Sequence, residues 1–198
     1  MKTAAKAALE PRKPSSDARL IAACRKGDEQ AWAALVDKYK NLIYSIPIKL
    51  GMYDDAADIF QSVCVDLLTD LPKLREPKAL PKWLMQVCYH TCIEYQKRAR
   101  KQVPFEEEQA ENLPAAEPGT PLPEELLEQL QDEQMVRNVV AALPPRCQRM
   151  VRMLFFETPP RPYQDVAREL GIAMGSIGFI RGRCLERLKK QLEKMGFQ

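Results

Sequence analysis

The chain has 198 residues, of which 45% are hydrophobic and 29% charged, with a net charge of +3. That length admits one domain or two small ones, and 7% aromatic residues with eight glycines suit helices better than sheets. No stretch reaches the roughly 18 consecutive apolar residues that span a bilayer. Residues 1–16 are basic but lack the apolar core of a secretory signal, so a cytoplasmic protein without membrane insertion is expected.

The small net charge hides a strong pattern. Residues 1–101 carry 18 basic and 12 acidic groups, residues 102–133 carry ten acids and no base, and residues 134–198 carry 12 basic and five acidic groups. Two basic blocks around an acidic strip suggest two modules that face nucleic acid.

In chain order, Ser16 caps a first helix that carries Leu20, Ile21 and Cys24 and stops at Gly27. A second starts near Asp28 and repeats Trp32, Leu35, Val36, Tyr39, Leu42, Ile43 and Ile46, with Pro47 expected to kink or end it. A third runs from Asp54 or Asp55 to Leu71, with Ile59, Phe60, Val63, Leu67 and Leu68 as its apolar set. After a loop punctuated by Pro72 and Pro77, a fourth helix opens at Pro81 and ends in Lys97, Arg98, Arg100 and Lys101. Residues 102–122 are acidic, proline-rich and poor in periodic apolar positions, which predicts a flexible, extended linker. Helical patterns resume over 123–143, 145–156, 163–170 and 174–195, and strand-like alternation is absent. The expected fold is all-α, with two small helical domains joined by an acidic proline-rich linker. The corresponding division is a flexible tail at 1–16, a helical domain at 17–101, the linker and a helix start at 102–133, and a second domain at 134–198.

Six cysteines are scattered through helical patterns without a CxxC pair. Cys88 and Cys92 share a helix face, but His90 points about 200° away from Cys88, so the three could not hold one zinc on an intact helix. All six are expected to be reduced, buried and hydrophobic in behaviour. Neither a metal nor a cofactor is expected.

The segment YQDVARELGIAMGSIGFIRGRCLERLKKQL carries the most specific signal. Two helices flank the turn Gly171, Ile172 and Ala173, where Gly171 allows the left-handed conformation of a tight helix exit. Val166, Ala167, Leu170 and Ile177 are expected to face inward. This is a helix-turn-helix pattern whose second, basic helix would enter the DNA major groove; an ordinary αα-hairpin with a solvated basic face has the same pattern. In the third helix, Asp55, Asp58, Ser62 and Asp66, with Gln61 nearby, flank the apolar stripe. An acidic flank of that kind suits docking to a basic partner, or simply faces water. Trp83 suits either the core or an exposed rim that supports unstacked bases.

At LGIAMGSIGFIRGRCLERLKK the chain resembles the promoter −35-reading segment of extracytoplasmic-function sigma factors, and LPPRCQRMVRMLFFE resembles the helix beneath it. GDEQAWAALVDKY, DDAADIFQSVCVDLL and WLMQVCYHTCIEYQKRAR resemble that family's opening, polymerase-binding and −10-reading helices. The resemblance implies a non-enzymatic RNA polymerase sigma factor with core polymerase and promoter DNA as partners, and it leaves an anti-sigma protein open as a third. Polymerase contacts would fall on Asp55, Asp58, Gln61, Ser62 and Asp66. Contacts to the −10 element would fall on Trp83, His90, Lys97, Arg98, Arg100 and Lys101. Ser176 and Arg183 would read the −35 element, with Arg187 and Lys190 on phosphates and Arg181 at the domain edge. The acidic linker would mask DNA binding in the free protein.

The chain departs from the family pattern at several positions. His90 stands where asparagine is usual, Glu94 replaces an aspartate, and Gly178, Phe179 and Ile180 replace a common Lys-Ser-Arg. A one-component helix-turn-helix regulator is the competing reading, and it leaves the N-terminal helices unexplained. An enzyme is disfavoured, since His90 is the sole histidine and no nucleophile–base spacing or phosphate-cradling glycine loop occurs.

Overall fold

Asp28 caps its helix by accepting hydrogen bonds from the amides of Gln30 and Ala31 at 2.9 and 3.1 Å, and this is where the larger of two packed units begins its long helices. The computed structural model describes residues 16–102 and 120–197, with α-helical side chains described as far as Ala99 in the first of these stretches. All regular elements among the described residues are helical. They form two compact units, one spanning Ser16–Glu133 and the other built from Gln134 onward.

The N-terminal unit contains α1 (Asp17–Cys24), α2 (Glu29–Lys49), α3 (Ala56–Asp70) and α4 (Leu80–Gln102), with short 3-10 turns between α3 and α4. Leu35, Tyr39, Leu42, Ile43 and Ile46 line one side of α2 and meet Ile59, Val63 and Leu67 of α3 and Leu84, Cys88 and Cys92 of α4. Asp17 clasps α1 to α2: its carboxylate accepts from Lys38 Nζ at 2.7 Å and from the phenol of buried Tyr39 at 2.9 Å. Burial beside that carboxylate pushes the Tyr39 phenol pKa well up. Pro47 does not end α2. It lies in the last turn, and the helix continues to Lys49.

Two expectations for α3 are corrected. Leu68 is 55% exposed rather than in the core, and Phe60 is only partly buried, stacked on Tyr44 with ring centroids 4.5 Å apart. The 3–4 spacing defined an apolar stripe wider than the area α2 and α4 cover.

A further helix, α5 (Glu124–Ala142), begins inside the stretch read as linker and helix start. Leu122 and Leu130 are buried in the N-terminal core, with Leu126 and Leu127 packed against it, and Lys49 pairs with Glu133 at 2.7 Å. The helix follows the pattern expected over 123–143, whereas residues 120–122, expected to be extended, are docked with it, because leucines recur at helical spacing between the acids. The remainder of the expected linker, at 103–119, and the N-terminal tail lie outside the described residues.

The C-terminal unit holds α6 (Pro145–Phe155), α7 (Tyr163–Leu170) and α8 (Ile177–Lys194) around a small core with Val140 and Leu143 of the segment before α6. Gly171 ends α7 at φ 61°, ψ 42°, in the left-handed region, and a 3-10 turn over Met174–Ser176 leads into α8. Val166, Ala167, Leu170 and Ile177 are buried, as the spacing predicts.

The cysteine expectation fails in this unit, and in the N-terminal unit Cys64 is only half-buried. Cys147 of α6 and Cys184 of α8 form a disulfide, S–S 2.03 Å and Cα–Cα 5.3 Å, while Cys24, Cys64, Cys88 and Cys92 are free. Each half was correctly placed facing inward, but helical periodicity says nothing about which inward positions meet across a core. Buried Cys88 gives its thiol hydrogen to the Ile43 carbonyl at 3.3 Å.

Candidate nucleic-acid interface and partner face

On α8 the two buried residues, Ile177 and Cys184, set one face toward the core. The opposite face carries Ser176, Phe179, Arg183 and Arg187, all exposed. Ser176 makes no side-chain cap bond, which leaves its hydroxyl available at the mouth of the helix. A Cβ at Gly178 or Gly182 would meet nothing within 4 Å, so among the described residues no side chain covers the helix at these two positions.

Phe179 is 69% exposed, and Arg183 lies over its ring at 5.6 Å from the centroid. The ring restrains an otherwise mobile guanidinium by a cation–π contact. In the sequence Phe179 stood out only as a departure from a family serine; an aromatic on a solvent face, one turn before an arginine, was the available signal. Arg181 is partly buried, bonded to the Tyr163 phenol and over that ring at 5.6 Å. It ties α8 to α7, away from the open face. Lys190 is exposed and paired with Glu186 at 2.8 Å, a partner that a phosphate would have to displace. That hydrogen bond raises the lysine pKa and lowers that of the carboxylate. A cationic, unshielded helix face with one fixed arginine can bind the edge and backbone of duplex DNA.

The fourth-helix residues do not form one open surface. Trp83 is half-buried and packs against the N-terminal core. His90 Nε2 lies 3.0 Å from the Thr120 carbonyl oxygen, which Gln86 Nε2 also approaches at 3.5 Å. The Leu122 amide donates to Gln86 Oε1 at 3.4 Å. The chain at 120–122 thus crosses the helix at His90. Further along, Lys97 is half-buried and Arg98 is exposed, with Glu94 3.6 Å away and the Tyr95 ring beneath it at 5.9 Å. The side chains of Arg100 and Lys101 lie outside the described set.

The third helix separates its candidates into two groups. Asp55, Asp58 and Gln61 are exposed. Ser62 is half-buried, its hydroxyl 3.3 Å from the Tyr95 phenol. Asp66 is also half-buried, and its carboxyl pKa is raised by burial first and then by the nearby negative charges of Asp70 and Glu94. The five expected residues are not one exposed stripe. The open side combines Asp58 and Gln61 with Val65 and Leu68, which are 61% and 55% exposed. Apolar side chains left in water between acids suit a protein surface that is both basic and apolar.

No protein-family model and no curated protein matches this chain. Among the described residues no helix is long and apolar enough to cross a membrane.

Proposed function

We propose that the chain is a promoter-reading sigma subunit of bacterial RNA polymerase, of the extracytoplasmic-function type. The observation that carries this reading is the α7–α8 pair, joined through left-handed Gly171, with Ile177 and Cys184 buried on one side of α8 and Ser176, Phe179, Arg183 and Arg187 open on the other. In this reading the pair is a helix-turn-helix. The first turns of α8 enter the −35 major groove, Ser176 and Arg183 meet base edges, and Arg187 meets phosphates. Asp55, Asp58 and Gln61, with exposed Val65 and Leu68, dock to core polymerase. Ser62 and Asp66 support that face from the α4 side.

The −10 element falls to α4, where His90, Lys97 and Arg98 line the rim and Trp83 supports it from the core. Promoter strand and residues 120–122 compete for the rim at His90, which supplies a packed basis for weak DNA binding by the free protein. No catalytic group takes part: the chain works by positioning polymerase, in the cytoplasm. The deciding experiment combines purified chain, core polymerase and promoter fragments. Promoter binding that needs both chain and core supports the reading. Tight, specific promoter binding by the chain alone favours a one-component regulator.

A further inference from the structure

The recognition surface hangs on very few buried side chains. Of the 18 residues of α8, Ile177 and Cys184 alone are buried, while Ile180 and Leu188 pack partly at the edge. Ile177 anchors the first residue of the helix, and Cys184 is the anchor at its middle, covalently joined to Cys147 of α6. The bond links positions 37 residues apart. Between them lie all of α7, the Gly171 turn and the open face of α8 as far as Arg183. A unit with so small a core depends heavily on any staple it has.

In a reducing cytoplasm, where the function proposed above places the chain, disulfides are rare and most are transient catalytic or redox-sensing devices. The other cysteines are free; burial holds the thiols of Cys24 and Cys64 above their ordinary range, and the hydrogen bond with Cys92, followed by burial, does so for Cys88. High thiol pKa values disfavour the thiolate that oxidation requires. The pair between α6 and α8 is set apart from the rest by its geometry, since these two sulfurs alone are bonded to each other. We propose that Cys147–Cys184 is a reversible thiol–disulfide site that sets how firmly α8 is held, and thereby how well the protein holds DNA. The link to DNA rests on the function proposed above; the link to α8 does not.

The chemistry is a two-electron exchange with a dithiol reductant. A reductant thiolate attacks Sγ of Cys147, the less deeply buried partner at 6% exposure against 1%, and expels the Cys184 thiolate, which takes up a proton. The second reductant thiol then displaces Cys147, which leaves as a thiol, and the reductant departs as its own disulfide. Oxidation by a low-molecular-weight disulfide runs the same steps backwards. Both sulfurs are covered, so exchange requires α8 to lift locally. Once reduced, the thiols remain buried as small apolar groups, but α8 is then held only by non-covalent packing of Ile177, Cys184 and the edge residues.

The full-length protein is prepared oxidised, then reduced with dithiothreitol, then reoxidised with oxidised glutathione. Three properties are followed: alkylated thiols by mass spectrometry, amide exchange along α8, and affinity for a short arbitrary-sequence DNA duplex at low salt. The expected results are four alkylated thiols before reduction, roughly tenfold faster exchange in α8 after it, and a several-fold loss of duplex affinity, all reversed on reoxidation. A Cys147→Ala/Cys184→Ala variant should match the reduced protein whatever the treatment. Six alkylated thiols before reduction would overturn the proposal. So would α8 exchange that ignores reduction, equal duplex affinity in both states, or a bond that survives a reducing glutathione ratio in the folded protein. Absence of duplex binding in both states, with α8 exchange still responding, would instead remove DNA from α8 and leave the redox site standing.

Discussion

Arg183 lies over the ring of Phe179, 5.6 Å from its centroid, one turn along the exposed side of α8. The contact fixes the direction of the guanidinium and presents an apolar ring beside it. Bidentate pairing of an arginine with guanine gives about 1–3 kcal/mol of discrimination, and an aromatic can touch a neighbouring thymine methyl. Arg183→Ala is expected to change which −35 sequences are selected from a randomised pool. Phe179→Ala should blur the same preference and weaken the preferred duplex by about 1 kcal/mol. Its melting temperature should stay unchanged, since Phe179 is 69% exposed.

Lys190 behaves differently because Glu186 holds it at 2.8 Å. Glu186→Gln should release the ammonium group to a phosphate, raise affinity for every duplex alike and steepen the salt dependence by about one unit. Titrations at several salt concentrations measure this. The Glu186 carboxylate is held below its ordinary range by Lys190, so the ion pair is complete above the ordinary carboxylate range. It is lost as pH falls through the lowered value, and the difference between parent and variant should vanish there.

Asp66 offers a pH test in the N-terminal unit. Burial and the charges of Asp70 and Glu94 raise its pKa, so the folded state binds this proton more readily than the unfolded chain. Stability should therefore fall as pH rises from the ordinary aspartate value through the raised one, and stay reduced above it. Asp66→Asn should melt higher than the parent at neutral pH, and that advantage should close on acidification. Thermal unfolding across pH reads the effect. At the exposed end of α3, Asp58→Arg should fold normally but lose core polymerase in pull-downs, since like charge at a close contact costs several kcal/mol.

Residues 120–122 supply a fifth prediction. Leu122 is 7% exposed, and its amide and the Thr120 carbonyl hold the α4 rim at Gln86 and His90. Leu122→Ser should detach this stretch and increase binding of single-stranded −10 DNA by the free protein. His90→Ala in the same background should reverse the gain if the uncovered rim is the binding surface. Fluorescence anisotropy with labelled oligonucleotide measures both.

Most of the helical architecture was legible in the sequence, because each helix buries a repeated apolar face and carries its own boundary signals. Asp28, Gly27 and Gly171 show this residue by residue: a cap that accepts from Gln30 and Ala31, and glycines at φ 81° and 61° where helices stop. What escaped depended on distant partners. Periodicity placed Leu68 in an apolar set without showing that no described helix covers it, and placed Cys147 and Cys184 inward without pairing them. Charge count hid the leucines that dock residues 120–133. The acidic candidates of α3 were legible as a flank, but the exposed pair Val65 and Leu68 came from packing alone. Nor does spacing reveal that Glu186 occupies Lys190 or that Tyr163 holds Arg181.

In vitro transcription tests the central claim most directly. Core bacterial polymerase is incubated with a fragmented bacterial genome, with and without the purified chain, and transcript 5′ ends are sequenced. The account predicts discrete start sites that appear only with the chain, share elements near −35 and −10, and shift in −35 preference with Arg183→Ala. Start sites identical with and without the folded chain, together with no retention of core polymerase on it, would contradict the account.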